Sequence, residues 1–569
     1  MKLRHKYKNI VVDSVLLIIL AFLCTVIALN GKSQFFIAGD GIVHLGRFEQ
    51  IVESIKHLKV PSEISFIGSG HNLTAFISCY PWLSSLIFIF PRLFIKNIVI
   101  CFIIGYFMIN LLTGFNIYLL ARKLTKFKII IFSAVTIWLF NSYHLILLYS
   151  RMAFGEVLAY AFLPLVILGY ILIYSNKDSK RGVIYLTIGM SGIANSHFIT
   201  LGIVSILVIL ITIGFLCLRK MGEVQIRLIL LSGILSVILS LYSLYGYLHI
   251  ILSNSILMPY KSLNNVDLKL STIAQSRLII SQNFLSWNVG IIVSITCIVL
   301  IILSIVLKNG LSILLSVISI LLYLIICVPL SNNTWLVSKI GFIQFQGRLL
   351  TFLALIITIN FIITFNLIMD RGINSILARC YCGLIMAFMI IFSAIGLHSM
   401  EYNNNPIPFN TRSKNDVVLT NNSYLENIYN PTFEGFFDYL PGSGSLSSDP
   451  KIGKVYIHGT PGTGMTWRSS GYNYEEFNYY SDASKLATIN LAYYRGVNYQ
   501  IYINNQKVAN LSNDKFLLRV PKGNSVLLIK ANPSKTTRVI FWSTMISNVL
   551  FFIGSLTYFY RSNRSRREA

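Results

Sequence analysis

The feature that most constrains this chain is a series of apolar segments, each near the roughly 20 residues that an α-helix needs to cross a bilayer. They lie near residues 11–29, 97–120, 129–148, 158–175, 183–196, 199–218, 228–247, 289–307, 311–328, 349–369, 381–398 and 538–559. Hydrophobic residues make up 55% of the 569 residues and charged residues only 12%, unlike a soluble domain of this length. The sequence therefore predicts a polytopic α-helical membrane protein of about twelve spans.

The net charge of +26 follows from where the basic residues lie. They collect in short loops and at both ends of the chain, in residues 2–8, 122–128, 177–181, 219–220 and 561–567. This is the distribution of cytoplasmic loops, so we expect both termini in the cytoplasm and the protein in the cytoplasmic membrane. The natural partners of such loops are anionic lipid headgroups, and the pattern argues against nucleic-acid binding.

On this topology, residues 30–96 form the first outer loop and residues 399–537 a long outer region. The long region has short alternating runs, such as 499–503 and 516–520, separated by turn residues such as Asn504-Asn505. It predicts a β-sandwich or jelly-roll-like domain between a transmembrane domain, 1–398, and a terminal span with a basic tail, 538–569. Tyrosines such as Tyr493 and Tyr494 are either sugar-stacking faces or core aromatics.

The outer loop 30–96 carries the first candidate site. Asp40, His44 and Arg47 are spaced four and then three residues apart, which places them on one face of a helix beginning near Gly41. Apolar residues also recur at helical spacing there, so we expect that helix to lie in the interface plane with its apolar side in the lipid: Leu45, Phe48, Ile51, Val52, Ile55 and Leu58. Residues 80–95 are apolar but interrupted by prolines, which indicates an interfacial or re-entrant segment.

Other polar residues fall on the same predicted side of the membrane, namely Tyr80, Arg151, Glu156, His197, Gln344, Gln346 and Arg348. Ionisable groups at a bilayer boundary are costly, which makes them functional candidates. Structural roles stay open: Asp40 as a helix N-cap, His44 as a hydrogen-bonded boundary histidine, and the arginines as snorkelling side chains. Arg348 begins a span on the outer side against the charge trend, and a buried anion such as a lipid phosphate would explain it.

Several ordered motifs carry a family resemblance. They are Asp40 with His44 and Arg47, Tyr80-Pro81, Arg151-Met152-Ala153-Phe154-Gly155-Glu156 with Pro164, Ser196-His197, Gln344-Phe345-Gln346-Gly347-Arg348-Leu349-Leu350 and Tyr439-Leu440-Pro441. Together they resemble the bacterial YfhO-like membrane proteins, including the group labelled 6-pyruvoyl-tetrahydropterin-synthase-related membrane proteins. The resemblance runs over most of the chain, although many relatives read Gln-Phe-Pro-Trp-Arg where this chain has Gln344-Phe345-Gln346-Gly347-Arg348.

Those families are similar to GT-C glycosyltransferases, which move a sugar from a polyprenyl-phosphate donor to an acceptor outside the cytoplasmic membrane. The resemblance implies a GT-C-like fold, a polyprenyl-phosphate-linked sugar as one partner, and a teichoic acid, another cell-envelope glycan, a glycolipid or a protein as acceptor. Such a transfer needs a base for the acceptor hydroxyl and a cation for the departing phosphate. The candidates are Asp40, His44 and Glu156 for catalysis, Arg348, Arg151 and Arg47 for the phosphate, and Tyr80, His197, Gln344 and Gln346 for substrate binding.

Two further expectations limit this interpretation. The chain has no Asp-x-Asp pair of the kind found in some GT-C enzymes, so the sequence supports neither a metal site nor another cofactor. The alternative function is a transporter or flippase, or a non-catalytic assembly partner, for lipid-linked glycans. Against transport, the sequence shows no inverted repeat, and the candidate residues lie on one predicted side of the membrane.

The charge asymmetry makes a testable prediction about topology. In a cysteine-free background, Ser445→Cys should react with a membrane-impermeant maleimide in intact cells, whereas Ser562→Cys should react only after lysis. The readout is a gel shift of the labelled protein. Labelling of Ser562→Cys in intact cells would reverse every predicted outer assignment.

Overall fold

The computed structural model describes residues 2–29, 35–36, 40–68, 73–176, 178–259, 261–266, 287–373, 375–402, 418–429, 439–442, 455–458 and 464–568. Within these ranges the chain is mostly helical, and a β-sheet precedes its last long helix. The expected coarse architecture, a helical domain with a β-rich region near the C-terminus, is therefore confirmed.

The helices follow one another along the chain, and the strands of the main sheet fall between the last two of them. They are α1 (Lys2–Leu29), α2 (Gly41–Lys56), α3 (Phe76–Cys79), α4 (Leu86–Phe94), α5 (Ile98–Leu124), α6 (Lys128–Phe140), α7 (Ser142–Leu145), α8 (Phe154–Tyr174), α9 (Ser179–Ala194), α10 (Phe198–Cys217), α11 (Glu223–Leu239), α12 (Leu241–Ser253), α13 (Ile291–Val306), α14 (Gly310–Cys327), α15 (Thr334–Ile340), α16 (Leu350–Asp370), α17 (Ser375–Tyr402), α18 (Ser423–Ile428) and α19 (Lys535–Glu568). The turn Ile146–Ser150 extends α7.

Eight helical segments of the described chain are long and apolar enough to cross a membrane, and the number is ten if each of two bent pairs is one span. The bends are 44° between α6 and the α7 segment and 69° between α11 and α12. Two other expected spans fall on α9 and α13, which have 16 residues each. At 1.5 Å per residue such a helix is about 24 Å long, shorter than the roughly 30 Å hydrocarbon core. These helices indicate a multi-pass membrane protein.

The basic loops meet at one end of the helical bundle. Lys128 pairs with Asp13 of α1 at 2.7 Å, and Lys126 pairs with Asp370 at the end of α16 at 2.9 Å. Arg181 donates to the hydroxyl of Ser562, which brings the start of α9 to the end of α19. The described parts of these loops thus share one end of the bundle, whereas the β-sheet lies at the other end.

Helix α2 begins at Gly41, as the sequence predicts, but its surroundings differ from the prediction. Leu45, Phe48, Ile51 and Val52 are at most 4% exposed and belong to the main hydrophobic core, so protein covers the side that we expected in lipid. Leu58 lies beyond the helix and is exposed. The helical period identifies an apolar face, yet it does not distinguish lipid from protein as the neighbour of that face. The placement of α2 as a lipid-facing interfacial helix is therefore wrong.

The segment expected to be interfacial or re-entrant forms a short turn, Leu83–Ser85, followed by α4, which has nine residues. Its Arg92 forms two hydrogen bonds with the buried carboxylate of Glu49 on α2, at 3.0 and 3.3 Å. Tyr424, on α18, donates to the same carboxylate at 3.0 Å. The beginning of the region expected to be one β-domain therefore packs on the helical bundle.

The strands lie mostly after residue 454. They are β1 (Phe35–Phe36), β2 (Leu263–Asn264), β3 (Gln344–Phe345), β4 (Val418–Leu419), β5 (Val455–His458), β6 (Gly464–Gly471), β7 (Tyr474–Ser481), β8 (Lys485–Ile489), β9 (Asn498–Ile503), β10 (Gln506–Val508), β11 (Phe516–Val520) and β12 (Gly523–Asn532). Eight of them form one antiparallel sheet in the order β10-β9-β12-β7-β6-β5-β8-β11. Asn504 and Asn505 both have positive φ and form the expected β9–β10 turn.

The sheet folds over its own hydrophobic core. Tyr499 on β9 and Phe516 on β11 have ring centroids 5.0 Å apart, although their strands lie near opposite ends of the strand order. The β6–β7 hairpin was not among the expected strands, because its sequence is rich in Gly, Ser, Asn and Glu. It supplies the partner of β12, and its buried residues include Phe477 and Tyr479.

Candidate functional site

A cavity of about 520 Å³ lies at the sheet end of the bundle. Its polar lining contains seven of the ten candidate site residues: Asp40, His44, Tyr80, Arg151, His197, Gln344 and Arg348. They come from the start of α2, the segment after α3, the α7–α8 junction, the start of α10 and the segment before α16. The other three candidates, Glu156, Arg47 and Gln346, lie behind this lining. The structure therefore brings most of the sequence-predicted set to one place.

Asp40 is bound to the α7–α8 junction. Its backbone N–H donates to the carbonyl of Arg151 at 3.0 Å, and its Oδ2 lies 3.3 Å from Nη2 of the same arginine. Asp40 occupies the N-cap position of α2, but its side chain makes no capping hydrogen bond and its backbone is helical. Its carboxylate is 36% exposed, so the cavity has access to it. The capping interpretation of Asp40 is not supported.

Glu156 is the central carboxylate of the site. Its Oε2 lies 2.6 Å from Nη1 of Arg151 and 3.4 Å from Nε of Arg348, and its Oε1 accepts from the hydroxyl of Tyr143 at 2.8 Å. Only 4% of its side chain is exposed. Burial opposes the charge of Arg151, but Glu156 and Asp40 outweigh it and raise the pKa of that guanidinium. Glu156 is thus fully engaged in holding two arginines beside the cavity.

Arg348 has one guanidinium nitrogen available to the cavity. Nε contacts Glu156, and Nη1 donates to the carbonyl of Ile343 at 2.8 Å. The ring of Phe345 lies 4.5 Å from the guanidinium carbon and also 4.8 Å from that of Arg151. Within the described ranges, Nη2 of Arg348 makes no hydrogen bond, so a ligand in the cavity is its natural partner.

His44 and Arg47 form a second, buried unit of the wall. Nη2 of Arg47 donates to Nδ1 of His44 at 2.9 Å, and Nη1 donates to the carbonyls of Tyr80 and Pro81 at 2.8 and 3.2 Å. Burial, reinforced by Arg47 and Arg151, holds the pKa of His44 well below its usual value. A guanidinium only donates, so Nδ1 of the neutral imidazole accepts and the proton lies on Nε2. Arg47 therefore positions the wall and does not itself line the cavity.

His197 and Gln346 have hydrogen-bond partners within the protein, and Gln344 has an unusual backbone conformation. Nδ1 of His197 accepts from the hydroxyl of Thr200 at 2.8 Å and caps α10, and burial lowers its pKa to about 3. Gln346 donates to the carbonyls of Ile325 and Val328 near the end of α14, which places its amide away from the cavity. Gln344 lines the cavity and has a left-handed backbone (φ 68°), an uncommon conformation for a residue other than glycine.

Several lining residues are not among the candidates that the sequence indicates. Lys261 adds a third cation to the wall, and an apolar and aromatic set completes it: Phe76, Phe198, Tyr247, Met258 and Phe342, together with Tyr439 of the Tyr439-Leu440-Pro441 motif. Lys261 has no ion pair within the described residues. Except for Tyr247, which lies in the middle of α12, these side chains come from loops and helix ends, where apolar spacing predicts neither a partner nor a direction.

Among the residues that the structure describes, no group of three or more histidines, cysteines, aspartates or glutamates has the arrangement of a metal site. Comparison with known proteins gave no matching family model, no matching curated protein and no matching solved structure.

Because Glu156 is buried between two arginines, we expect its charge to contribute to the free energy of unfolding. Glu156→Gln leaves two buried arginines without their shared counter-charge, and removing one partner of such a cluster costs about 3–5 kcal/mol. The variant should unfold at a clearly lower temperature than the wild type in detergent. The matched control is Glu223→Gln, which breaks an exposed ion pair with Arg227 worth about 1 kcal/mol or less. Equal melting temperatures for the two variants would contradict a structural role for Glu156.

Proposed function

We propose that this protein is a membrane glycosyltransferase that moves a sugar from a polyprenyl-phosphate donor to a cell-envelope acceptor. The observation that carries the proposal is the placement of one partly exposed carboxylate, Asp40, and one available guanidinium nitrogen, Nη2 of Arg348, on the same cavity. A base and an anion-binding cation are the two groups that such a transfer requires. The apolar part of the lining suits the lipid that carries the phosphate.

The proposed step is a direct displacement at the anomeric carbon. The carboxylate of Asp40 takes the proton of the acceptor hydroxyl as the hydroxyl oxygen forms a bond to the anomeric carbon of the donor sugar. The bond between that carbon and the phosphate oxygen breaks, and the polyprenyl phosphate leaves with the electron pair. Arg348, together with Lys261, stabilises the negative charge that grows on the departing phosphate.

The remaining candidates take supporting roles in this proposal. Glu156 positions Arg151 and Arg348 and is too enclosed to act as the base. Arg151 pairs with Asp40 and fixes the position of its carboxylate at the cavity. Nδ1 of His44 accepts a hydrogen bond from Arg47, so the neutral imidazole serves as a hydrogen-bond donor and not as a base. No step is assigned to a metal or another cofactor.

For the fold, we propose a GT-C-like membrane domain of about twelve spans and an extracytoplasmic β-sandwich. The resemblance to the YfhO-like proteins implies both. The cavity then faces the outer side of the cytoplasmic membrane. Support comes from the separation of the two ends of the bundle, one with the basic loops and the other with the sheet. A transporter, the alternative function, binds its substrate near the middle of the bilayer, whereas this cavity lies at one end of the helical bundle.

A complementation experiment tests the proposed base. Deleting the gene should change the sugar composition of the cell envelope, and the wild-type gene should restore it. Asp40→Asn should not restore it, because a positioned general base contributes about 10²- to 10⁴-fold and an amide cannot take the proton. The measurement is monosaccharide analysis of purified envelope fractions at equal protein levels.

The matched control is Asp482→Asn, which changes an exposed aspartate of the sheet paired with Lys485. It should restore the envelope sugar fully. Full restoration by Asp40→Asn as well would reject base catalysis and favour transport or an assembly role.

The phosphate site has a test that needs no knowledge of the sugar. Bare polyprenyl phosphate should raise the melting temperature of the purified wild-type protein in detergent, since a ligand that binds only the folded state stabilises it. Arg348→Lys should bind it about tenfold more weakly, because a lysine cannot hold Glu156, the Ile343 carbonyl and a phosphate at once.

Two controls complete this experiment. Polyprenol, which lacks the phosphate, should not stabilise the wild type by the same amount. Arg495→Lys alters an exposed arginine of the sheet and should bind like the wild type. Unchanged binding by Arg348→Lys would place the phosphate elsewhere.

A further inference from the structure

One tyrosine of the sheet region (residues 455–532), Tyr494, forms hydrogen bonds with two segments of the cavity wall. Tyr494 is fully buried, and its hydroxyl has two partners: it accepts from the backbone N–H of Ala75 at 3.0 Å and donates to the carbonyl of Tyr439 at 2.8 Å. Ala75 precedes α3 in the helical domain. Of the two alternatives for Tyr494, the structure supports the core aromatic, because its ring lies in the core and its hydroxyl joins two other segments.

Both of these segments form the cavity wall. Helix α3 contributes Phe76 and Cys79 to the lining, and Tyr80 follows directly. Tyr439 contributes its own side chain to the lining, and its ring lies 5.9 Å from that of Phe76 in an edge-to-face arrangement. One hydroxyl thus holds together two parts of an aromatic wall that are far apart in sequence.

The conformation of Tyr439 depends on these contacts. Its φ is 67°, a left-handed value that is unfavourable for a residue with a Cβ atom. The segment is held by paired hydrogen bonds: Tyr439 N–H donates to the carbonyl of Leu257 at 2.8 Å, and Leu257 N–H donates to that of Leu440 at 2.7 Å. Next to Leu257, Met258 also lines the cavity. The hydroxyl of Tyr494 adds a hydrogen bond to the carbonyl of Tyr439 itself.

We propose that Tyr494 is a positioning residue and that Tyr439 is the specificity-determining residue that it positions. By holding the Tyr439 carbonyl and the start of α3, the sheet region sets the separation of the aromatic wall from the cations at Arg348 and Lys261. The wall then contacts the apolar part of a lipid phosphate whose anionic group binds those cations. The sheet region is accordingly joined to the cavity wall through Tyr494 and is not an independent module. This ligand assignment rests on the proposed function.

The test uses the full-length protein in detergent and the variant Tyr494→Phe, which keeps the buried ring and removes both hydrogen bonds. Hydrogen–deuterium exchange at the amide of Ala75 should become about fivefold faster, the effect of losing one ordinary hydrogen bond. Binding of bare polyprenyl phosphate, measured by thermal stabilisation, should weaken by a similar factor.

The matched control is Tyr493→Phe at the adjacent position. The ring of Tyr493 stacks on Tyr499 at 5.0 Å, and its hydroxyl makes no hydrogen bond within the described part of the chain. It should leave both the Ala75 exchange and the lipid affinity unchanged. Equal effects of the two variants would overturn the inference, as would unchanged exchange in Tyr494→Phe.

A second variant keeps the inference testable if Tyr494→Phe is poorly folded. Tyr439→Gly removes the wall ring while accepting the left-handed backbone and keeping the carbonyl. It should weaken binding of polyprenyl phosphate by about tenfold. Wild-type affinity in Tyr439→Gly would overturn the role of Tyr439. If the wild type itself does not bind polyprenyl phosphate, the proposed function fails, and the exchange measurement still decides whether Tyr494 holds the wall.

Discussion

The arrangement of the sheet end depends on one buried carboxylate, that of Glu156. It joins Arg151, five residues away at the α7–α8 junction, to Arg348, which precedes α16. Arg151 in turn binds Asp40 at the start of α2. Because an unpaired ion in a protein interior is strongly unfavourable, the positions of these segments are interdependent. A shift of any one of these segments separates a buried charge from its ionic partner.

A second part of the cavity wall is built around a buried guanidinium, that of Arg47, which has no carboxylate partner within the described residues. Arg47 is held by the carbonyls of Tyr80 and Pro81, by His44 and by the faces of neighbouring rings, and burial lowers its pKa to about 10. Hydrogen bonds to carbonyls and contact with aromatic faces stabilise such a cation without neutralising it. One wall of the cavity is thus charge-balanced, whereas the other retains a net positive charge.

The sequence predicted the helical class and the start of α2, because apolar length and helical spacing depend on local composition. Seven of its ten candidate site residues also line the cavity. It did not predict which neighbour covers an apolar face, and Leu45, Phe48 and Ile51 therefore lie in protein instead of lipid. The sequence also did not distinguish the residues that line the cavity from those behind the lining. That distinction depends on long-range contacts, such as the one between Glu156 and Arg348, which are 192 positions apart in sequence. Such roles depend on tertiary packing, as does the burial of Tyr494.

The positive charges around the cavity favour the departing polyprenyl phosphate of the proposed reaction over the bound donor. Among the residues that the structure describes, the carboxylates at the cavity are those of Asp40 and Glu156, against four cations: Arg47, Arg151, Lys261 and Arg348. The two histidines are neutral because burial lowers the pKa of each. A polyprenyl phosphosugar is a phosphodiester with one negative charge, whereas the departing phosphate monoester approaches two. Catalysis requires interactions that are stronger in the transition state than in the bound substrate. A surplus of positive charge on a fixed scaffold meets that requirement, because it stabilises the charge that develops as the sugar–phosphate bond breaks.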